Sequence, residues 1–79
     1  MARDYYAEAR ELARDARAAE LPALGSRIDA VIADGFTASE ILMGLRATLR
    51  DELPELEPFP ELEARAASLL GAIDAALAS

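Results

Sequence analysis

The amino-acid sequence predicts an all-α fold, a compact four-helix bundle built from residues 1–79 as a single domain. Three observations carry that reading. Apolar residues recur at helical spacing in four separate stretches, prolines and glycines fall between them, and no stretch alternates polar with apolar residues as a half-buried strand does. Helices are expected at about 3–20, 22–34, 38–53 and 60–78.

From Arg3 to Glu20 every residue is a fair helix former. At about 100° per residue, Tyr5, Ala9, Leu12, Ala16 and Ala19 share one face, with Tyr6 and Ala13 beside it. Asp4, Glu8, Glu11 and Asp15 form an acidic stripe on one flank and Arg3, Arg10, Arg14 and Arg17 a basic stripe on the other, which marks a helix with one buried face and the rest in water. Leu21-Pro22 ends it and starts the next, because a first-turn proline gives up no hydrogen bond. Leu24, Ile28, Val31 and Ile32 then form a second apolar face, and Gly35 after Asp34 is expected as a left-handed C-terminal cap.

Thr37-Ala38-Ser39-Glu40 matches a capping box, with Phe36 and Ile41 in the positions of a hydrophobic staple. Behind it Ile41, Leu42, Leu45, Leu49 and Leu53 line one face of a third helix, and Arg46, Arg50 and Asp51 fall largely outside that face. Leu53 to Pro60 carries three prolines, which remove donors and restrict their neighbours, so it reads as a stiff acidic connector that cannot continue a helix. The fourth helix starts near Pro60 and buries Leu62, Ala66, Leu69, Leu70, Ile73 and Leu77.

A chain of 79 residues is near the lower limit for one core, burying only about 60% of its unfolded surface. It has no cysteine, so neither a disulfide nor a thiolate metal site adds stability; helix packing or a partner must supply it. All eight basic residues are Arg, and His, Trp, Lys, Asn and Gln are absent too. With abundant Ala and Leu this is the pattern of a high-GC bacterial genome, which a designed helical protein shares in part. The formal charge of −7 opposes a phosphate backbone and argues against direct nucleic-acid binding. It favours a basic protein partner, or else serves solubility alone. The charged start Met1-Ala2-Arg3-Asp4 does not resemble a signal peptide and no apolar run reaches membrane-spanning length, so a cytoplasmic location and no membrane association are expected.

The residue types argue against catalysis. A general base near neutral pH is most often His, and Ser26, Ser39, Ser68 and Ser79 have no imidazole to activate them. The carboxylates lie on solvent faces and lack the Glu-x-x-His partners of a di-metal bundle. Gly25, Gly35, Gly44 and Gly71 are isolated rather than grouped in a phosphate loop. Asp51-Glu52 with Glu55 and Glu57 lacks the spacing of an EF-hand. No catalytic residue, cofactor or metal is expected. The chain does resemble acyl carrier proteins in acidity, length and helicity, with Ser39 at a helix start, which implies a modified serine. That family's Asp-Ser-Leu is Ala38-Ser39-Glu40 here, however, and a full helix stands where its long loop is expected.

Four features are candidate interfaces. Met43 lies nearly opposite the Ile41-Leu45-Leu49 stripe, either for a partner or under another helix. Gly44 costs roughly 1 kcal/mol against Ala in a helix interior, which fits a close approach by a neighbour. Ala64, Ala67, Gly71, Ala75 and Ala78 form a second face on the fourth helix, either bare to solvent or the seam of a homodimer. Asp51, Glu52, Glu55, Glu57, Glu61 and Glu63 gather around the proline connector with Leu56 and Phe59, as a docking patch for a basic surface or as a solvated linker with both apolar residues in the core. In size, charge and helicity over its whole length the chain resembles the immunity proteins that neutralise bacterial toxins, though it carries no diagnostic motif of theirs. That resemblance implies a non-catalytic, immunity- or antitoxin-type inhibitor of a basic protein. The alternative from another class is a self-associating structural module.

Overall fold

The computed structural model describes residues 3–78. Met1, Ala2 and Ser79, which entered the N-terminal and serine readings, lie outside them. Four helices are present among the described residues, α1 (Tyr5–Ala18), α2 (Pro22–Asp34), α3 (Ala38–Glu52) and α4 (Pro60–Ala78), with one 3₁₀ turn at Leu53–Leu56. α1 packs on α2 and α4, and α3 packs on the same two, so the helices form a ring in chain order. Short links join successive helices, so each packs on its neighbours in the sequence, as connections of that length favour in a four-helix bundle. The molecule measures 32 × 23 × 22 Å.

The core follows the expected faces: Ala9, Leu12 and Ala16 of α1, Leu24 and Ile28 of α2, Leu45 and Leu49 of α3, and Leu62, Ala66, Leu69 and Ile73 of α4 are buried. Thr48 is the buried polar residue that the apolar pattern does not reveal. Two glycines set the spacing around α2. A β-carbon on Gly25 would lie 3.0 Å from the Ala13 carbonyl oxygen and 2.9 Å from Cγ of Arg17, so α1 and α2 touch there. One on Gly44 would lie 2.7 Å from Cγ1 of Val31, which confirms the close approach expected at Gly44.

Several local expectations are corrected. α1 begins at Tyr5 rather than Arg3 because the Asp4 side chain accepts a hydrogen bond from the Ala7 amide and caps the helix. Gly35 is not left-handed: with φ −77° and ψ 139° it is extended, and its value is that a β-carbon there would collide with Ile41. The staple is not made, since Phe36 is 93% exposed. The capping box is half as expected: Thr37 Oγ1 accepts from the Glu40 amide at 3.1 Å, but the Glu40 carboxylate takes the Thr37 hydroxyl rather than a backbone N–H. The connector is not wholly non-helical, because Pro54 falls in the first turn of the 3₁₀ segment, where its missing N–H costs nothing.

The left-handed position is Glu20, with φ 63°. The Leu21 amide bonds the Ala16 carbonyl at 2.8 Å and the Glu20 amide bonds that of Arg17 at 3.0 Å, a Schellman ending of α1 with glutamate in the place usually given to glycine. A β-carbon is strained in that conformation, and a negative charge is unfavourable at a helix C-terminus. Glu20→Gly is therefore expected to stabilise the protein by about 1 kcal/mol and to raise Tm by roughly 4–8 °C in thermal unfolding. An unchanged or lower Tm would mean that the carboxylate offsets its own backbone strain.

Candidate functional site

Each neighbouring pair of helices is bridged on its outer surface by arginine. Arg17 pairs with Asp29 across α1 and α2, Arg27 with Asp51 and Glu52 across α2 and α3, Arg46 and Arg50 with Asp74 across α3 and α4, and Arg65 with Asp15 across α4 and α1. Arg3 and Arg14 are also taken, by Glu8 and Asp15. Exposed bridges of this kind add little stability individually. Their larger effect is on the surface field, because they use up seven of the eight arginines within the fold.

What remains is an acidic end. The bundle brings the α1–α2 turn, the C-terminus of α3, the 3₁₀ turn and the start of α4 to the same end of the molecule. Glu55, Glu57 and Glu61 are exposed there and Glu63 is half-buried. Among the described residues no ion pair engages any of the four. Asp51 and Glu52 belong to this end but are held by Arg27 at 3.2 and 3.3 Å. The Asp51 hydrogen bond, and after it that of Glu52, holds the Arg27 guanidinium still more firmly in its charged form. Of the six acids expected in the patch, four therefore carry uncompensated charge.

Leu56 is buried and Phe59 is half-buried against the core, so both apolar residues of the connector serve packing. Phe59 still shows an edge to solvent, where with Ala18, Ala19, Pro58 and Leu62 it lines a shallow groove of about 720 Å³ whose rim includes Glu61 and Arg65. A second cleft of about 340 Å³ lies between the α1–α2 turn and the 3₁₀ turn, with Glu20, Asp51, Glu52 and Glu55 above Leu21 and Leu56. Glu20 is the acidic residue that sequence reasoning missed. Its sequence signal was masked, because Glu20 reads as the end of a helix and only the left-handed turn puts it beside residues more than thirty positions away.

Met43 does not join this site. It is 45% exposed, but it stands on α3 eight residues before Asp51, about 12 Å along the helix axis. Ala64, Ala67, Gly71, Ala75 and Ala78 are all exposed on α4, and a β-carbon on Gly71 would meet nothing within 4 Å. Ser39 is exposed in the first turn of α3, and the Ser68 hydroxyl accepts from Arg3 at 3.0 Å.

Asp15 sits between Arg65 and Arg14, and its carboxyl is held below the ordinary aspartate range, first by the Arg65 hydrogen bond. A depressed folded-state pKa contributes stability that is present above the unfolded value, about 4, and is lost as pH falls through the folded one. Asp15→Asn is thus expected to lower Tm near pH 7 and to make no difference once pH falls below that range; a deficit that persists in acid would assign the loss to packing.

Among the described residues no group of three or more His, Cys, Asp or Glu is placed to hold a metal ion, and no helix is long and apolar enough to cross a membrane. Comparison with protein-family models, curated proteins and solved structures finds no match to this chain.

Proposed function

We propose that the protein is a non-catalytic binding module that docks a basic protein surface with its acidic end, in the manner of an immunity- or antitoxin-type inhibitor. One observation carries the reading: Glu55, Glu57, Glu61 and Glu63, all on the 3₁₀ turn, the link after it and the first turn of α4, have no ion pair among the described residues, while seven of the eight arginines are already engaged by other carboxylates. Such a field raises the encounter rate with a positively charged surface. The exposed edge of Phe59 in its shallow groove supplies apolar area beside the charge, and a short, proline-bearing connector loses little freedom on binding.

The test is affinity capture from the source lysate at low and moderate salt, with a Glu55→Arg, Glu57→Arg, Glu61→Arg variant run in parallel. The reading expects one stoichiometric basic protein that is lost as salt rises and is missing from the variant. Recovery of the same proteins by both forms overturns it. The second reading, self-association through the small residues of α4, draws on the exposure of Ala64, Ala67, Gly71 and Ala75; a monomer by light scattering eliminates it.

A further inference from the structure

The end of α1 leaves a gap beside the connector. The Ala19 amide bonds the Asp15 and Ala16 carbonyls, and Glu20 then turns left-handed and carries the chain away. Ala18 and Ala19 reach no further than Cβ, so the side of this helix end that faces the connector is an open groove. Its opposite wall is Phe59 between Pro58 and Pro60. The Phe59 amide bonds the Leu56 carbonyl at 2.8 Å, and the Phe59 carbonyl accepts from the Glu63 amide at 2.9 Å. Held at both backbone groups and bracketed by two prolines, this segment presents the ring edge with little freedom left to lose on binding. Across the same α1–α2 turn lies the cleft whose floor includes Leu21, Leu24 and Leu56, with Glu20 and Glu55 on its rim. Ala19 lines the groove and Glu20 the cleft, so one turn divides the two depressions.

Charge decides what can fill the pair. Arg65 reaches the groove but is taken by Asp15 at 2.8 Å, while Glu61 on the same rim has no ion pair among the described residues. In the cleft Arg27 holds Asp51 and Glu52, and Glu20 and Glu55 are without such a partner among the described residues. Both depressions thus join apolar surface to uncompensated negative charge. That disfavours a second copy of a chain with charge −7 and suits a cation on an aliphatic stem. We infer that groove and cleft form one recognition surface for a segment of the basic partner protein that carries an aromatic side chain next to an arginine or lysine. The aromatic packs on the Phe59 edge between the two prolines, where an offset or edge-to-face pair is favourable. The basic side chain lays its stem over Leu21 and Leu56 and sets its charge between Glu20 and Glu55. Aromatic and arginine anchors of this kind dominate binding energy when they enter preformed depressions. The inference rests on the acidic-end reading and adds what the partner must present.

The probe is a capped hexapeptide with one Trp among three Arg, titrated at low salt. The protein contains no Trp, so the peptide's indole emission reports its own burial. A blue shift is expected, with nuclear Overhauser contacts from the indole to the Phe59 ring and to the Ala18 and Ala19 methyl groups. A control peptide with Gly in place of Trp should bind about tenfold more weakly by amide NMR titration, and one with Gln in place of the three Arg should also lose affinity. The Glu20→Gln, Glu55→Gln variant keeps the shape of the cleft and should bind the Trp/Arg peptide several-fold more weakly without a lower Tm. Full affinity in that variant would overturn the pairing of cleft with groove. Equal affinity for the Trp and Gly peptides, with shifts confined to residues 51–63, would overturn the inference while leaving an acidic end that attracts cations. Absence of any shift at residues 15–24 and 51–63 would remove the inference and the acidic-end reading together. Indole contacts elsewhere on the bundle would overturn the inference alone.

Discussion

Ile28→Ala is expected to cost about 2–5 kcal/mol, against a total stability that for a domain of 79 residues is roughly 4–12 kcal/mol. Ile28 is fully buried on α2, whose other large buried side chain is Leu24. The cost is expected toward the upper part of that range because close approaches on two sides limit closure of the cavity. α2 meets α1 at Gly25, and its Val31 side chain meets α3 at Gly44, so little room is left for it to shift and refill the lost volume. Thermal and urea unfolding followed by circular dichroism should show a Tm lower by about 10 °C or more. A fall of only a few degrees would mean that α2 can shift, and that the glycine contacts are not the limit on its position.

The same contacts show what the sequence could and could not reveal. Helical periodicity located all four helices and most of the buried face of each, because burying apolar area is a property of spacing along the chain. Gly44 could be singled out because a glycine in the middle of an apolar helix calls for a reason. Gly25 could not, since it stands near a proline start where glycine is unremarkable, and only the approach of Ala13 shows its role. The ends of helices were less legible. Gly35, expected left-handed, is extended, and Glu20, expected within the helix, is left-handed, because which residue turns left-handed depends on where the following segment must pack. Phe36 illustrates the same point: the staple pattern was present in the sequence, but Phe36 is exposed and Gly35 is what lies against Ile41. At the acidic end, residue type showed that carboxylates cluster between 51 and 63. It could not show that Arg27, from a different helix, neutralises two of them, or that Glu20 joins them.

Reversing Glu55, Glu57 and Glu61 to arginine is expected to lower the association rate with a basic partner by about tenfold or more at low salt. Glu63 is best left unchanged because it is half-buried, and reversal there would mix packing with charge. The other three are exposed and make no ion pair among the described residues, so the variant breaks no salt bridge there. It also sheds most of the net charge of −7. Relief of net charge is opposed by placing arginine at Glu61 in the first turn of α4, where a negative charge is favourable, so Tm should change by no more than a few degrees, which separates a binding defect from a folding defect. The kinetic signature follows from distance. Charges at the edge of an interface act on the encounter through the long-range field, which salt screens within about 8 Å at physiological ionic strength. The dissociation rate should consequently change little, and the gap between variant and wild type should narrow as salt rises. Stopped-flow or surface-based kinetics on the captured partner can check both. A loss carried by faster dissociation would place these glutamates in the desolvated centre of the interface, where short-range contact rather than steering sets their effect. Unchanged rates in both directions would remove the acidic end from the binding surface and leave its charge with solubility as its role.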